Sequence, residues 1–176
     1  MSAKEELLFF ADNTVVFTVR TNSTHQQISR AKRILLADDD PNGVELVLAV
    51  LEPLDLANSV ETVEDGEAAL DYVYRRNNFA DREPGNPALI LLDLKMPKVT
   101  GLEVLQVIKA DSDLSSIPVV VLTSSREASD LAASYKLGVN AYVVKPVDYS
   151  QFVNAVKEIG VFWATVNEPP PGTIEN

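Results

Sequence analysis

Six residues in this sequence have the types and placing to do chemistry. Asp38-Asp39-Asp40 follow the apolar run Ile34-Leu35-Leu36-Ala37. Asp93 follows Leu89-Ile90-Leu91-Leu92. Thr123 follows Val119-Val120-Val121-Leu122, and Lys145 follows Ala141-Tyr142-Val143-Val144. Carboxylates crowded at one place repel each other unless a cation sits among them. A ligand set made only of oxygens, with few protein donors, suits Mg²⁺, which keeps several waters. A hydroxyl and an ammonium complete a set that handles a phosphoryl group. Metal and ammonium neutralise its charge, the hydroxyl donates to an oxygen, and a carboxylate can attack.

Each residue also has a plainer reading. The three aspartates could cap the next helix, where the macrodipole favours acids. Asp93 and Thr123 could be solvated loop residues, and Lys145 a surface lysine. It is their arrival at four successive strand ends that favours the chemistry. The Lys145-Pro146 dipeptide adds to it, because proline restricts the backbone of the lysine before it.

The elements that must position these residues are legible as alternating patterns. Short runs rich in apolar residues at 34–37, 59–63, 89–92, 119–122 and 141–144 are strand candidates. Four of them are almost continuously apolar, as strands buried on both faces are, which implies a parallel sheet covered by helices on both sides. Helical periodicity separates them: Val44, Leu46, Val47, Val50 and Leu51; Ala68, Ala69, Tyr72 and Val73 after Asp65-Gly66; Leu102, Leu105, Ile108 and Lys109; Leu131, Ala132 and Tyr135, closed by Gly138; and Phe152, Val156, Ile159 and Trp163. Ser124 with Glu127, and Asp148 with Gln151, read as capping boxes. Five such units specify a doubly wound α/β domain. Ligands of such sheets bind outside the carboxyl ends of the strands, where the six residues stand.

Composition excludes other classes. The 176 residues contain no cysteine and one histidine, His25, which removes disulfides, thiolate chemistry and multi-histidine metal centres. No apolar run reaches the roughly 18 to 20 residues of a membrane span, and no signal peptide is evident, so a cytoplasmic location is expected. The net charge is −11. Residues 1–33 carry +2 and the remainder −13, so the acidic body repels nucleic-acid backbones. Residues 1–32 read as an N-terminal arm or linker, with a short helix at 4–11 and a strand-like segment at 14–21. Segment 77–87 is a polar loop. The proline-bearing tail 167–176 reads as extended or disordered.

The stretches ILLADDDP, LILLDLKMPKVTGLEVL, IPVVVLTSS and NAYVVKPVD resemble the receiver domain of two-component response regulators. The intervals fit as well, with 30 residues from Asp93 to Thr123 and 22 from Thr123 to Lys145. The resemblance covers residues 33–163. It implies a five-stranded parallel sheet in the flavodoxin-like order 2-1-3-4-5, here with an N-terminal extension and a receiver unit at 33–166. It implies that Asp93 accepts a phosphoryl group and that Asp39 is the main acid for Mg²⁺. Asp38 would contribute directly or through water, and Lys95 through its backbone carbonyl. Thr123 would receive a phosphoryl oxygen, Lys145 would form the ion pair, and Tyr142 would be the aromatic switch. Asp40 is not required by the family.

YKLGVNAYVVKPVD, QFVNAVKEIGVFWATVNEPPP and the long 77–87 loop are similar to the small regulators paired with bacterial phytochrome kinases. The segment 1–32 departs from that pattern. Too few residues follow Trp163 for a helix-turn-helix output domain. The expectation is therefore a single-domain regulator, not an enzyme in its own right, that slowly loses its phosphoryl group. Its partner would be a sensor histidine kinase, and the closer likeness points to a bacteriophytochrome. A homodimer is also expected, through the fifth helix and its extension, because Phe162, Val166 and Val153 form a second apolar stripe beyond the core-facing one.

Three rival readings compete for the same residues. One is a pseudo-receiver that only binds; its usual mark is loss of the acceptor, the metal acid or the lysine, all of which are present here. A haloacid-dehalogenase-like phosphotransferase would use Asp38 as nucleophile in the pattern Asp38-x-Asp40, with Thr123 and Lys145 as its later motifs. It also needs an acidic pair at a strand end after the lysine, and none follows. A flavin binder would need a hydroxyl- and glycine-rich first turn where the three aspartates stand.

Overall fold

The computed structural model describes residues 32–145 and 148–173. The expected helix at 4–11, the strand-like segment at 14–21 and Pro146 lie outside the described residues.

Five strands, β1 (Ile34–Ala37), β2 (Val60–Val63), β3 (Leu89–Leu92), β4 (Val119–Thr123) and β5 (Ala141–Val144), form one sheet. All four pairings are parallel, in the order β2-β1-β3-β4-β5. The helices between them are α1 (Pro41–Leu51), α2 (Gly66–Tyr74), α3 (Gly101–Ala110), α4 (Ala128–Lys136) and α5 (Tyr149–Val161). A turn of π-helix, Phe162–Val166, prolongs α5.

Strand side chains alternate between two cores. Leu35, Ala37, Ile90, Leu92, Val119 and Val121 pack with α2 and α3. Ile34, Leu36, Leu89, Leu91, Val120 and Leu122 pack with α1 and α5. That double burial explains the continuous apolar runs. Each fully buried aliphatic side chain contributes about 1.5–3 kcal/mol.

Two glycines set the distance between layers. A Cβ on Gly101 would lie 2.0 Å from the Asp93 carbonyl oxygen, and one on Gly66 would lie 2.1 Å from that of Val99. Neither position admits another side chain without moving the backbone next to the Asp93 rim.

The fourth helix departs from expectation. Leu131 and Tyr135 are 41% and 56% exposed, so the apolar stripe faces solvent. The buried residue of α4 is Ser134, whose hydroxyl donates to the Asp130 carbonyl one turn back at 2.8 Å. A serine that satisfies itself inside the helix can face the core. Leu137 and Val139, just past the helix end, supply the apolar contacts. The capping box expected at Ser124 is also corrected. Helix α4 starts at Ala128 with Glu127 at its N-cap and no side-chain cap. Ser125, one residue further on, accepts from the Glu127 N–H at 3.4 Å. Asp148 does cap α5, accepting from the N–H groups of Ser150 and Gln151, but among the described residues no reciprocal Gln151 bond completes the expected capping box.

The tail does not run free as far as Thr173. The Asn86 N–H donates to the Gly172 carbonyl at 2.8 Å, and Asn86 pairs with Thr173. Lys32 Nζ donates to the Asn167 carbonyl at 2.6 Å. The 77–87 loop, which offers that docking point, is itself held by Arg82. Its guanidinium lies 4.3 Å from the Tyr72 ring centroid and donates to the carbonyls of Tyr72, Glu83 and Gly85.

Asp65 ties the β3–α3 loop to α2. Its carboxylate caps α2 through the Ala68 N–H at 2.7 Å and meets Lys98 Nζ at 2.7 Å. Lys98 sits in the left-handed region, with φ of 61°. Burial alone would raise the Asp65 carboxyl, but the Lys98 ammonium and the Ala68 N–H outweigh it and hold it below its ordinary value. A depressed carboxyl stabilises the fold above its unfolded pKa, and that contribution is lost as pH falls through the folded one. Asp65→Ala should therefore cost about 1 kcal/mol at pH 7. The gap to wild type should narrow on acidification below about pH 4. Denaturant melts at several pH values check this, and a gap unchanged down to about pH 2.5 would refute the role of the charge.

Candidate phosphoryl and metal site

Strand register brings the expected residues together. Ala37 pairs with Leu92, and Val144 with Thr123. The next steps are the Asp93 N–H donating to the Ala37 carbonyl at 2.9 Å and the Lys145 N–H donating to that of Thr123 at 2.7 Å. Asp38, Asp93, Thr123 and Lys145 thus share one rim of the sheet.

Their side chains converge. Lys145 Nζ lies 2.7 Å from Asp38 Oδ2 and 3.1 Å from Asp93 Oδ2. Asp38 and Asp93 are buried, while Asp39 is exposed at the mouth. Asp38, Asp39 and Asp93 each offer one carboxylate oxygen within 4.8 Å of the others. Asp38 is also steadied by the Asp40 N–H at 3.1 Å, and Asp93 Oδ1 by the Lys95 N–H at 3.3 Å. Burial raises the Asp38 carboxyl above its ordinary value, although Lys145 pulls the other way. For Lys145, burial would lower the ammonium, but Asp38 and Asp93 outweigh it and hold it above its usual range.

One ammonium faces three carboxylates, so this cluster has charge left over for a cation. All its donors are oxygens, which fits a hard divalent ion. The site opens into a groove of about 1130 Å³ that runs past α1, and Asp39, Glu45, Glu52, Asp55 and Glu64 are among its lining.

Asp40 takes the plainer role. It is the N-cap of α1 and accepts from the Asn42 N–H at 3.0 Å. The Asp38-x-Asp40 pair of the rival phosphotransferase reading therefore does not share one site function, and Asp93 holds the centre instead. Thr123 is fully buried, and its Oγ1 accepts from the Ser125 N–H at 3.2 Å. Tyr142 is half-buried and packs on the core of α2 and α3, with its hydroxyl donating to the Ser125 carbonyl at 3.1 Å. Lys95 is exposed.

Sequence reading missed Gly43. A Cβ there would meet Asp38 Oδ2 at 3.1 Å and Lys145 Nζ at 3.5 Å. Its signal was a glycine inside the first turns of α1, where propensity disfavours it. Ser125 was missed too, since the hydroxyl beside it, Ser124, drew the capping assignment.

A family model for the response regulator receiver domain matches residues 34–157. The chain belongs to that receiver family. Among curated relatives, the response regulator Rcp1 of Synechocystis sp. is 39% identical over 132 residues, covering 75% of this chain and 88% of its own. Two solved structures extend the likeness. The bacteriophytochrome response regulator RtBRR is 59% identical with a TM-score of 0.64, over 81% of this receiver chain and 86% of its own. The phosphorylated cyanobacterial phytochrome response regulator RcpA is 38% identical with a TM-score of 0.74, over 80% and 99%. Rcp1 has also been solved in a Mn²⁺-bound form, 37% identical, with a TM-score of 0.71 over 79% of this chain and 99% of its own. The receiver fold and its acidic pocket are therefore present in this chain. Among the described residues no helix is long and apolar enough to cross a membrane.

Proposed function

We propose that this receiver is a phosphorylation-dependent switch in which Asp93 is the acceptor. A sensor histidine kinase supplies a phosphohistidine. An Asp93 carboxylate oxygen attacks phosphorus, the P–N bond breaks, and the imidazole leaves with the electron pair. The observation that carries this reading is Lys145 bridging Asp38 and Asp93 at the rim, with Asp39 beside them. Asp38, Asp39 and Asp93, with the Lys95 backbone carbonyl, would hold Mg²⁺. Bound there, the ion would neutralise charge on the phosphoryl oxygens. Lys145 would take one phosphoryl oxygen and the Thr123 hydroxyl would donate to another. The names of the RtBRR and RcpA relatives support a bacteriophytochrome as the kinase. Residues 33–166 form the receiver unit, with 1–32 as an arm and 167–176 as a tail.

Acetyl phosphate or a kinase with Mg²⁺ should add one phosphoryl group, read as a single mass increment, and EDTA should prevent it. Equal labelling in EDTA would remove the metal from the reading.

The chain also dimerises through α5 on this proposal. Phe162 and Val166 are 48% and 64% exposed on one face, and Phe162 stacks edge-on against Trp163. Lys157 and Glu158 border the same shallow pocket, so opposite charges are available to a two-fold-related copy. Light scattering should give a dimer for wild type and a monomer for Phe162→Asp. Loss of the dimer on removing residues 1–30 alone would move the interface to the arm.

A further inference from the structure

Ser125 takes no part in the phosphoryl chemistry of the rim, yet every polar group it owns is engaged. Its N–H donates to Thr123 Oγ1 at 3.2 Å, and its carbonyl accepts from the Tyr142 hydroxyl at 3.1 Å. Its own hydroxyl donates to Asp130 Oδ2 at 2.6 Å and accepts from the Glu127 N–H at 3.4 Å. Ser125 is buried, at 2% exposure, whereas its neighbour Ser124 is exposed. One residue therefore joins the Thr123 hydroxyl, the Tyr142 ring and the first turn of α4.

The geometry has a direction. Thr123 is fully buried and its oxygen is used as an acceptor. Among the described residues its hydroxyl proton has no acceptor, so it is left to donate. Asp130 is anchored through its backbone as well, since its carbonyl accepts from Ser134 Oγ at 2.8 Å. Burial holds the Tyr142 phenol above its ordinary value, although its hydrogen bond with Ser125 pulls the other way. A phenol is a donor at neutral pH in either case. All these bonds join groups of the chain itself, and none needs a phosphoryl group.

We propose that Ser125 is a positioning residue: its clasp on Asp130 holds Thr123 and Tyr142 in the arrangement that a phosphoryl group on Asp93 favours. The inference rests on the proposed function and deepens it. A phosphoryl group then meets a hydroxyl whose proton is free to donate and a ring already engaged. Releasing the clasp makes ligand binding supply that ordering, and the apparent affinity falls by the fraction of competent molecules.

The test uses the full chain with beryllium fluoride and Mg²⁺ as the phosphoryl probe. Fluorotyrosine NMR reports on Tyr142, with Tyr142→Phe used to assign its signal. In wild type the ring signal should shift on binding, by less than in the variants. In Ser125→Ala and Asp130→Ala the unbound ring signal should move or broaden. The change on binding should be larger, and beryllium fluoride should bind about five-fold or more weakly. Asp130→Asn keeps an acceptor oxygen and should resemble wild type. Asp130 is only half-buried on α4, so its variants stay informative if Ser125→Ala folds poorly. If Ser125→Ala and Asp130→Ala both match wild type in ring signal and affinity, the clasp is overturned and the acceptor reading stands. If wild type fails to bind the probe at all, both fall together.

Discussion

Asp93→Asn should take up no phosphoryl group from acetyl phosphate or a kinase, while folding as wild type does. The amide has no anionic oxygen to attack phosphorus, so the loss is complete rather than graded. The rest of the rim should persist. The amide oxygen of the substituted side chain would still face the Lys95 N–H, which lies 3.3 Å from Asp93 Oδ1 in wild type. Lys145 keeps its shorter contact, 2.7 Å to Asp38. One carboxylate fewer also reduces repulsion with Asp38 and Asp39, so the melting temperature should not fall. Intact-mass spectrometry decides the matter. If Asp93→Asn gains the same mass increment as wild type while Asp38→Asn gains none, Asp38 is the nucleophile and the acceptor assignment fails.

The rim was legible because its residues follow apolar runs. In a parallel sheet the ends of such runs meet, so Asp38, Asp93, Thr123 and Lys145 could be placed together from spacing alone. The same logic fixed the strands, since burial on both faces leaves a continuous apolar signature. Helix α4 escaped it. Leu131 and Tyr135 look like core residues by type, but they stay exposed while Ser134 turns inward. A single serine that bonds to its own helix carries no signal of burial. Gly101 and Gly43 were illegible for another reason. Their value is a close approach, to the Asp93 carbonyl and to Asp38 with Lys145, which exists only once the layers are packed. The docking of Asn86 on Gly172 was hidden too, because it uses backbone groups that any residue has.

Lys145→Met should be the most destabilising change at the rim in metal-free buffer, and Mg²⁺ should largely reverse it. The Lys145 side chain is 18% exposed, and the carboxylates it bridges are 1% and 7% exposed. Removing one partner from a buried ion pair costs about 3–5 kcal/mol, because the other charge is left uncompensated. For a domain of this size that is a fall of roughly 10 °C in melting temperature. A divalent ion between Asp38, Asp39 and Asp93 would supply the missing positive charge. The Mg²⁺-induced rise should therefore be larger in Lys145→Met than in wild type, by mass action on a site that has lost its competing cation. Asp39→Asn separates this from a general salt effect. Asp39 is exposed, and the ion pairs of Lys145 run to Asp38 and Asp93 instead. Its loss should leave the metal-free protein at least as stable while blunting the response to Mg²⁺. Thermal melts of the three proteins, with EDTA and with millimolar Mg²⁺ at constant ionic strength, give the comparison. Equal Mg²⁺-induced shifts in wild type, Lys145→Met and Asp39→Asn would mean that the ion does not bind among these carboxylates.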